Sequence, residues 1–420
     1  MIEPASLAIL AVAGLATAGV ILRPFRWPEA IWAVSGAAAL LLAGLVSPAE
    51  ALAAVSRGTE VYLFLIGMMA LAELARREGL FDWTAAYAAR LSRGSARRLF
   101  DLVYLVGVVV TALLSNDATA VVLTPAVYAA ARAAKAEPLP YLFICAFVAN
   151  AASFILPISN PANLVLFGER IPALGRWVVW FGPAALIAVS MTWLMLRIAF
   201  RQELRAKISA DVPLPLLTLP ARLAGYAIAA ACLVLLATSA LDGPLGVVTF
   251  GVGLLAAAVV LLAGRTSPAP LLKSISWSVV PLVAGLFVLV AGLERSGLVG
   301  ALAREISEAA AISPKGAGFS AGAILAVASN LMNNLPAGLL AASAAPASVV
   351  PPAVTGALLV GVDLGPNMSV TGSLATILWL IAIRREGEDV GAWRFLKLGL
   401  FVTLPALIPA LAVVALLAPD

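Results

Sequence analysis

The chain has 420 residues, of which 62% are hydrophobic and 12% are charged, and its formal net charge is +5. Soluble domains carry about 25% charged residues, so this composition excludes an ordinary soluble domain and indicates a protein embedded in a lipid bilayer. It gives no support for nucleic-acid binding, and the absence of histidine removes the side chain that most often carries protons near neutral pH.

The first elements in chain order are apolar runs long enough to cross a bilayer, which takes about 20 helical residues. Hydropathy predicts full spans at 5–22, 29–46, 59–75, 140–168, 178–197, 222–240, 246–263, 276–293, 350–383 and 394–416. Glu3 precedes the first run where a signal peptide would have basic residues, so this run is predicted to be a transmembrane helix. The sequence therefore predicts an all-α polytopic membrane protein with about ten transmembrane helices.

Two further apolar regions, 99–132 and 317–345, are interrupted by polar residues, and we predict that they form re-entrant helical hairpins. The first contains LLSNDATAVVLTPA (113–126) and the second contains SNLMNNLPAGLL (329–340). The spans 140–168 and 350–383 are also broken, by ISNPANL (158–164) and DLGPNMSVTGS (363–373). Unpaired backbone groups cost several kcal/mol in lipid, so breaks at membrane depth are tolerated where they line a cavity.

The chain aligns with itself at an offset of 218 residues. IGMMALAELARREGL (66–80) lies over AGLFVLVAGLERSGL (284–298), and Ser115-Asn116 lies over Asn333-Asn334. At a shorter offset, SNPAN (159–163) matches the break at 365–373. Five crossings separate corresponding points, so the halves are predicted to have opposite topology. Inverted repeats with broken helices near the midplane are typical of secondary transporters.

We therefore predict two inverted repeats, 1–200 and 221–420, joined by a cytoplasmic linker at 201–220. The first repeat has scaffold spans in 5–75, a hairpin at 99–132, a broken span at 140–168 and a span at 178–197. The second has scaffold spans in 222–293, a hairpin at 317–345, a broken span at 350–383 and a span at 394–416.

Each repeat also contains an amphipathic connector between its scaffold and its hairpin, at 79–94 and at 297–311. Both are too polar to span a bilayer and are predicted to lie in the interface plane. They are either ordinary loop helices or hinged arms that join a static scaffold to a moving domain.

Lys and Arg residues are distributed unevenly between the two predicted sides of the membrane. One side carries 21 of the 27 basic residues. The other side carries Arg57, Arg170, Arg176, Arg295, Arg304 and Lys315. Since short cytoplasmic loops are enriched in Lys and Arg, the richer side is predicted to be cytoplasmic and both termini external.

Asp117 and Asp363 are the two acids that fall at breaks in mid-membrane. An ionised carboxylate at the centre of a bilayer helix costs roughly 2.5–3.5 kcal/mol on insertion scales, so such residues are usually functional. Capping of the returning hairpin helix by Asn116 or Asp117 is the structural alternative. Asp117 aligns with apolar Leu335 in the second half, and this asymmetry favours a role in coupling.

The residues predicted to bind substrate carry amides or hydroxyls at the four breaks. They are Ser115, Asn116, Thr119, Ser159, Asn160, Asn163, Asn330, Asn333, Asn334, Asn367, Ser369 and Thr371. No Arg or Lys falls in any of these breaks. A pocket for a di- or tricarboxylate is expected to hold a cation or several bound sodium ions, although helix dipoles can sometimes suffice. The pattern therefore favours a neutral molecule or a cation as substrate.

These motifs resemble those of the ArsB-type arsenite/antimonite efflux permeases of the ion transporter superfamily. SNDATAVVLTP (115–125) resembles their first hairpin, and LPISNPANLV (156–165) is similar to their first break. MNNLPAGLL (332–340) and LGPNMSVTGSLATILWL (364–380) are closer still to their second-half motifs. The resemblance covers both repeats.

The resemblance implies a bacterial inner-membrane exporter of trivalent arsenic and antimony, driven by protons that enter in exchange. We expect Asp117 to be the main proton carrier and Asp363 a second one. Related folds work as homodimers by an elevator movement of the hairpin-bearing domain. In some hosts such permeases pair with a soluble ATPase, and this chain has no P-loop of its own.

The two cysteines, Cys145 and Cys232, cannot form the three-thiolate site that trivalent arsenic would prefer. Cys145 precedes Ser159 by 14 residues, roughly 21 Å along a helix. We therefore expect a neutral trihydroxide bound by Asn, Ser, Thr and backbone groups, with no cofactor and no thiolate metal site. The alternative is a sodium/proton antiporter or sodium-coupled anion transporter of the same superfamily. The lack of any nucleophile–base arrangement argues against an enzyme.

Overall fold

The computed structural model describes residues 3–419, apart from the side chains of Arg26 and Glu169, and over that range the chain is built from helices. The first half comprises α1 (Pro4–Leu22), α2 (Glu29–Leu42), α3 (Pro48–Arg57), α4 (Thr59–Arg77), α5 (Leu80–Leu91), α6 (Ala96–Leu113), α7 (Thr124–Ala133), α8 (Leu139–Ala151), α9 (Pro161–Phe167) and α10 (Leu174–Ala199). A π-helical turn, Ala118–Leu123, precedes α7, and short 3-10 turns lie at Pro24–Arg26, Pro157–Ser159 and Gly168–Arg170.

The second half begins after a 3-10 turn at Glu203–Arg205. It comprises α11 (Leu219–Ala240), α12 (Leu245–Gly264), α13 (Ala269–Ser274), α14 (Val279–Arg295), α15 (Leu298–Ile312), α16 (Pro314–Met332), α17 (Asn334–Ala344), α18 (Pro352–Leu364), α19 (Leu374–Arg385) and α20 (Ala392–Leu416). A 3-10 turn at Gly365–Met368 separates α18 from α19.

The order of helices in the first half repeats in the second. Helices α5 and α15, and likewise α6 and α16, begin 218 residues apart, whereas α8 and α18, and α9 and α19, begin 213 residues apart. The packing repeats as well: α4 contacts α12 as α2 contacts α14, and α9 contacts α17 as α7 contacts α19. This correspondence is what a duplicated chain produces, while the opposite orientation of the halves stays a prediction.

Five described helices are long and apolar enough to cross a membrane: α1, α10, α11, α12 and α20. Two bent pairs, α3–α4 with a bend of 47° and α14–α15 with a bend of 74°, raise the number to seven. About ten spans were predicted. The difference arises because α2 has 14 residues and because the spans at 140–168 and 350–383 are each divided between two helices. The chain is a multi-pass, all-helical membrane protein.

Glycines at matched positions set the close crossings of the scaffold helices. A Cβ at Gly67 of α4 would collide with the backbone of Thr249 on α12. A Cβ at Gly285 of α14 would lie 2.8 Å from the backbone carbonyl carbon of Ala33 on α2. The identity of Gly67 and Gly285 at the 218-residue offset therefore reflects one packing requirement met twice.

The amphipathic connectors α5 and α15 both start from glycines in the left-handed region. Gly79 has a φ of 72° and Gly297 a φ of 84°, a conformation that costs glycine little and other residues more. Helix α5 packs against α4, α6 and α7, and α15 packs against α14, α16 and α17. Each connector thus packs against the helix that precedes it and against both arms of the hairpin that follows. This arrangement fits both interpretations of these segments, as loop helices and as hinged arms.

The linker between the halves is fastened to the first hairpin. The Ile208 N–H donates to the Gly94 carbonyl at 3.1 Å, and the Ser209 N–H donates to the Ala134 carbonyl at 2.7 Å. Gly94 lies just before α6 and Ala134 just after α7. The linker therefore connects the start of α6 to the end of α7, at the base of the hairpin, before it enters α11.

Candidate functional site

The tips of the two hairpins are built in the same way. The first arm of each ends at a residue with positive φ, Ser115 at 153° and Asn333 at 73°. The Ser115 hydroxyl accepts a hydrogen bond from the Ala118 N–H at 3.3 Å, and Asn333 Oδ1 accepts one from the Leu335 N–H at 3.4 Å. The returning helices are therefore capped by Ser115 and Asn333, which leaves the side chains that follow them available for other contacts.

The two broken helices restart from caps at equivalent positions. Asn160 Oδ1 accepts from the Ala162 N–H at 3.0 Å at the start of α9, and the Ser373 hydroxyl accepts from the Thr376 N–H at 3.1 Å at the start of α19. These caps stand where an unwound backbone would otherwise leave N–H groups without partners.

The breaks of the two halves are joined to each other by side-chain hydrogen bonds. In the last turn of α8, Asn150 Nδ2 donates to Asn367 Oδ1 at 2.9 Å and to Thr376 Oγ1 at 3.4 Å. In the last turn of α18, Asp363 Oδ1 accepts from Asn160 Nδ2 at 2.7 Å. Asn150 and Asp363 occupy equivalent places in the two halves, so a neutral amide in one break corresponds to an acid in the other.

A small cavity of about 40 Å³ lies where the hairpin tips and broken helices meet. Its walls are Leu65, Asn116, Asp117, Asn160, Pro161, Ala162, Val279, Leu282, Asn334, Leu335, Leu374 and Ala375. These residues come from both hairpin tips and from the first broken helix, and Leu374 and Ala375 directly follow the break in the second one. Helices α4 and α14 close the remaining side. Four of these twelve residues are polar, so a cavity of this size can hold one or a few water molecules.

Four of the predicted site residues line this cavity: Asn116, Asp117, Asn160 and Asn334. Asn116 and Asn334 are 4% and 6% exposed, and they occupy the same place on the two hairpins. Asp117 and its counterpart Leu335 both face the cavity as well. The cavity is therefore close to symmetric in its walls and asymmetric in its single acid.

Asp117 is partly buried, and its carboxylate makes no hydrogen bond or ion pair with any residue of 3–419. The Asn116 side chain instead accepts from the Asp117 backbone N–H at 2.9 Å. The π-helical turn directly after Asp117 has no counterpart in the second hairpin, where Asn334–Ala344 is a regular α-helix. π-Turns are rare in proteins overall, but those that occur are often found at functional sites. The two hairpins therefore differ at the same place in both their backbone and their acid.

Three further predicted residues hold the first hairpin and the first break together and do not line the cavity. The Thr119 hydroxyl lies 2.7 Å from that of Thr111 across the hairpin. Ser159 donates to the Ala112 carbonyl at 2.9 Å. Asn163 Nδ2 donates to the carbonyls of Ser153, Leu156 and Pro157 at 3.1 to 3.3 Å.

Four others belong to the second half, where three bond to one another or to nearby backbone and the fourth, Asn367, bonds to the first half. Asn330 Nδ2 donates to the Gly365 carbonyl at 2.9 Å, and its Oδ1 accepts from Ser369 at 2.8 Å. Thr371 donates to the Asn330 carbonyl at 2.9 Å. Asn367 donates to the Phe147 carbonyl at 2.8 Å. These contacts fix the unwound backbone so that the cavity walls keep their place.

Asn150 and Thr376, which join the breaks of the two halves, were not predicted from the sequence, and neither was Ser373, which caps α19. Ser373 was inside a quoted break and could have been selected as a cap before an apolar helix. Asn150 lies in an apolar run, and the lone amide one turn before a break was a usable signal.

A much larger cavity of about 1280 Å³ opens beside the small one. It is lined by Val61 of α4 and Leu164 of α9, each about one turn or less from a wall residue of the small cavity. Its rim includes Arg57, Arg170 and Arg176, three of the six basic residues on the side predicted to be external. Its lining residues differ from those of the small cavity.

Comparison with protein families gives a match over most of the chain. The model of the CitMHS family, described as "Citrate transporter", matches residues 17–383. An arsenical pump membrane protein of Escherichia coli is 30% identical over 371 residues, which cover 84% of this chain and 85% of that protein. A second, from strain K12, is 28% identical over 406 residues, covering 91% of this chain and 92% of that protein.

A solved structure shows the same fold. The YdaH transporter of Alcanivorax borkumensis, described as having an unusual topology, aligns with a TM-score of 0.58 at 18% identity. The alignment covers 88% of this chain and 89% of that one.

Proposed function

The chain belongs to the CitMHS family of transporters, and from this premise we propose that it exports trivalent arsenic and antimony from the cytoplasm in exchange for protons. Two relatives that align over most of both chains are arsenical pump membrane proteins. The observation that carries the proposal is the chemistry of the small cavity: amides and one acid in its walls, and no Arg or Lys among its lining residues.

This chemistry suits a neutral trihydroxide better than a carboxylate anion. Amide oxygens and N–H groups of Asn116, Asn160 and Asn334 can accept from and donate to hydroxyl groups. Carboxylates are recognised most strongly by Arg or Lys, which the cavity walls lack. Hydrogen bonds of this kind also let the cargo leave, whereas a three-thiolate site would retain it; Cys145 and Cys232 are both buried away from the cavity.

Asp117 is the proposed proton carrier at the site. Its carboxylate faces the cavity without a hydrogen-bond or ion-pair partner among the described residues, so its charge is balanced there by neither a cation nor a fixed hydrogen bond. Elevator movement, a homodimer and a soluble ATPase partner are further proposals that rest on the resemblance to arsenite permeases.

The direct test is uptake of arsenite into everted membrane vesicles, in which the cytoplasmic face is outward. We expect vesicles containing the protein to accumulate arsenite when their lumen is acidic, and to stop when a protonophore removes the pH gradient. Vesicles made without the protein are the control. Protection of an arsenite-sensitive strain is the matching growth test.

Two outcomes would favour the alternatives. Transport that requires sodium and ignores arsenite would indicate a sodium/proton antiporter. Sodium-dependent uptake of citrate, the substrate named in the family description, would indicate an anion carrier. Either result, with no arsenite uptake despite membrane expression, would reject arsenite export.

The predicted orientation of the chain places the cavity of about 1280 Å³ on the external side of the membrane. Ser56 is exposed and lines this cavity, and Ser267 is exposed in the loop between α12 and α13. In intact cells we expect a membrane-impermeant maleimide to label Ser56→Cys and to leave Ser267→Cys unlabelled until the cells are permeabilised. The native cysteines are 0% and 5% exposed and give little background. The reverse labelling pattern would overturn the predicted orientation.

A further inference from the structure

Asn160 connects the small cavity to the most deeply buried acid among the described residues. Its side chain lines the cavity and is 1% exposed. Its Nδ2 donates to Asp363 Oδ1 at 2.7 Å. Asp363 is 0% exposed, does not line the cavity, and its Oδ2 has no hydrogen-bond partner among residues 3–419.

The orientation of the Asn160 amide is fixed by its second contact. Its Oδ1 accepts from the backbone N–H of Ala162 at 3.0 Å, and a backbone N–H can only donate. Flipping the amide would set two N–H groups against each other, so the nitrogen must point to Asp363. One side chain thus caps α9, forms part of the cavity wall and stabilises a buried carboxylate.

The surroundings of Asp363 give it no other charge to interact with. Helix α18 packs against α8, α9, α16, α17, α20 and the turn Gly365–Met368. The ionisable side chains on these elements are Tyr141, Cys145, Lys315, Arg394 and Lys397. The three cations are exposed at the starts of their helices, Tyr141 donates to the Ala96 carbonyl, and Cys145 donates to the Tyr141 carbonyl. Ser153 also lies beside the Asp363 carboxyl group but does not line the cavity. Asn160 is therefore the contact through which the state of Asp363 reaches the cavity.

We propose that Asn160 is a positioning residue that makes proton binding at Asp363 and substrate binding in the cavity mutually exclusive. With Asp363 ionised, the amide is held in the place seen here and completes the cavity wall. A proton on Asp363 weakens this charge-assisted hydrogen bond, so Asn160 is released and the wall loses its shape. Exclusion of this kind is the condition for exchange of a proton for cargo, and the inference rests in that respect on the proposed function.

Asn160→Ser tests this directly, because serine is a good N-cap and already serves as one at Ser373, but it lacks the amide that reaches Asp363. In the native protein we expect the KM for arsenite in everted vesicles to rise by about fivefold or more as the external pH falls, a coupling of ordinary size. In Asn160→Ser most of this rise should be lost, and only the smaller rise that Asp117 causes should remain. Asp363→Asn, which is nearly isosteric, should give the same reduced rise.

Ser373→Ala is the matched control, since it removes the equivalent cap in the other half without touching Asp363. It should retain the pH dependence of KM. A rise in KM as large as the native one in both Asn160→Ser and Asp363→Asn would overturn the inference, as would loss of the rise in Ser373→Ala alone.

Infrared difference spectra of the purified protein without substrate separate this inference from the proposed function. The carboxyl band that disappears in Asp363→Asn should appear at a higher pH in Asn160→Ser than in the native protein, because the carboxylate has lost its donor. An unchanged midpoint would overturn the inference whatever the cargo is. A shifted midpoint in a protein that does not transport arsenite would reject the proposed function alone.

Discussion

Asp117→Asn should abolish pH-driven arsenite uptake while leaving the protein folded in the membrane. Asparagine has nearly the same volume as aspartate, so the walls of the 40 Å³ cavity are kept. It cannot gain or lose a proton, however, and the carboxylate it replaces is the single acid in those walls. Uptake into everted vesicles with an acidic lumen should fall to the level of vesicles without the protein.

The control for this substitution is Asp82→Asn, which makes the same chemical change on an exposed face of α5. It should transport as the native protein does. Equal thermal melting of both variants in detergent would show that the loss at Asp117 is not a loss of folding. Native rates of pH-driven uptake by Asp117→Asn would reject this residue as the proton carrier.

Gly67→Val should have the largest effect on stability. The added Cβ would meet the backbone of Thr249 in α12, and a backbone cannot rotate away as a side chain can. Over-packed cores typically lose about 1–3 kcal/mol, and we expect this crossing to lie at or above that range. Little monodisperse protein should be recovered in detergent, and its melting temperature should fall by many degrees.

Two glycine variants provide the comparison. Gly285→Val should behave like Gly67→Val, because it obstructs the equivalent crossing of α14 with α2. Gly251→Val places the same β-branched residue in α12 where a Cβ has no neighbour within 4 Å, and it should remain stable. Equal losses in all three would mean that valine in these helices is harmful for reasons other than the crossings.

Much of the fold could be predicted because a cluster of polar residues inside an apolar run marks a point where a membrane helix is broken. The hairpin and break positions follow from polar residues and prolines in apolar runs, and the glycines at 79 and 297 mark the connectors. The short helices α3 and α13 were not predicted, since they carry no separate hydropathy signal. The length criterion counts fewer spans than the ten predicted, because it leaves out the short helix α2 and the two spans that were predicted to be broken.

The site was predicted less completely, since sequence shows that a residue is at a break but not which way it faces. Asn160 and Asn163 lie on the same broken helix, yet Asn160 reaches the cavity and Asn163 binds loop carbonyls. The hydrogen bonds between the halves, from Asn150 to Thr376 and from Asn160 to Asp363, join residues more than 200 positions apart. No local pattern contains that information.

The fastening of the linker limits how far the first hairpin can travel. Ser209 is bonded to Ala134 at the end of α7, and α11 begins at Leu219. An extended chain advances roughly 3.3–3.6 Å per residue, so the ten steps from Ser209 to Leu219 reach at most about 33–36 Å. As long as that hydrogen bond holds, this length is the greatest distance that can separate the end of α7 from the start of α11.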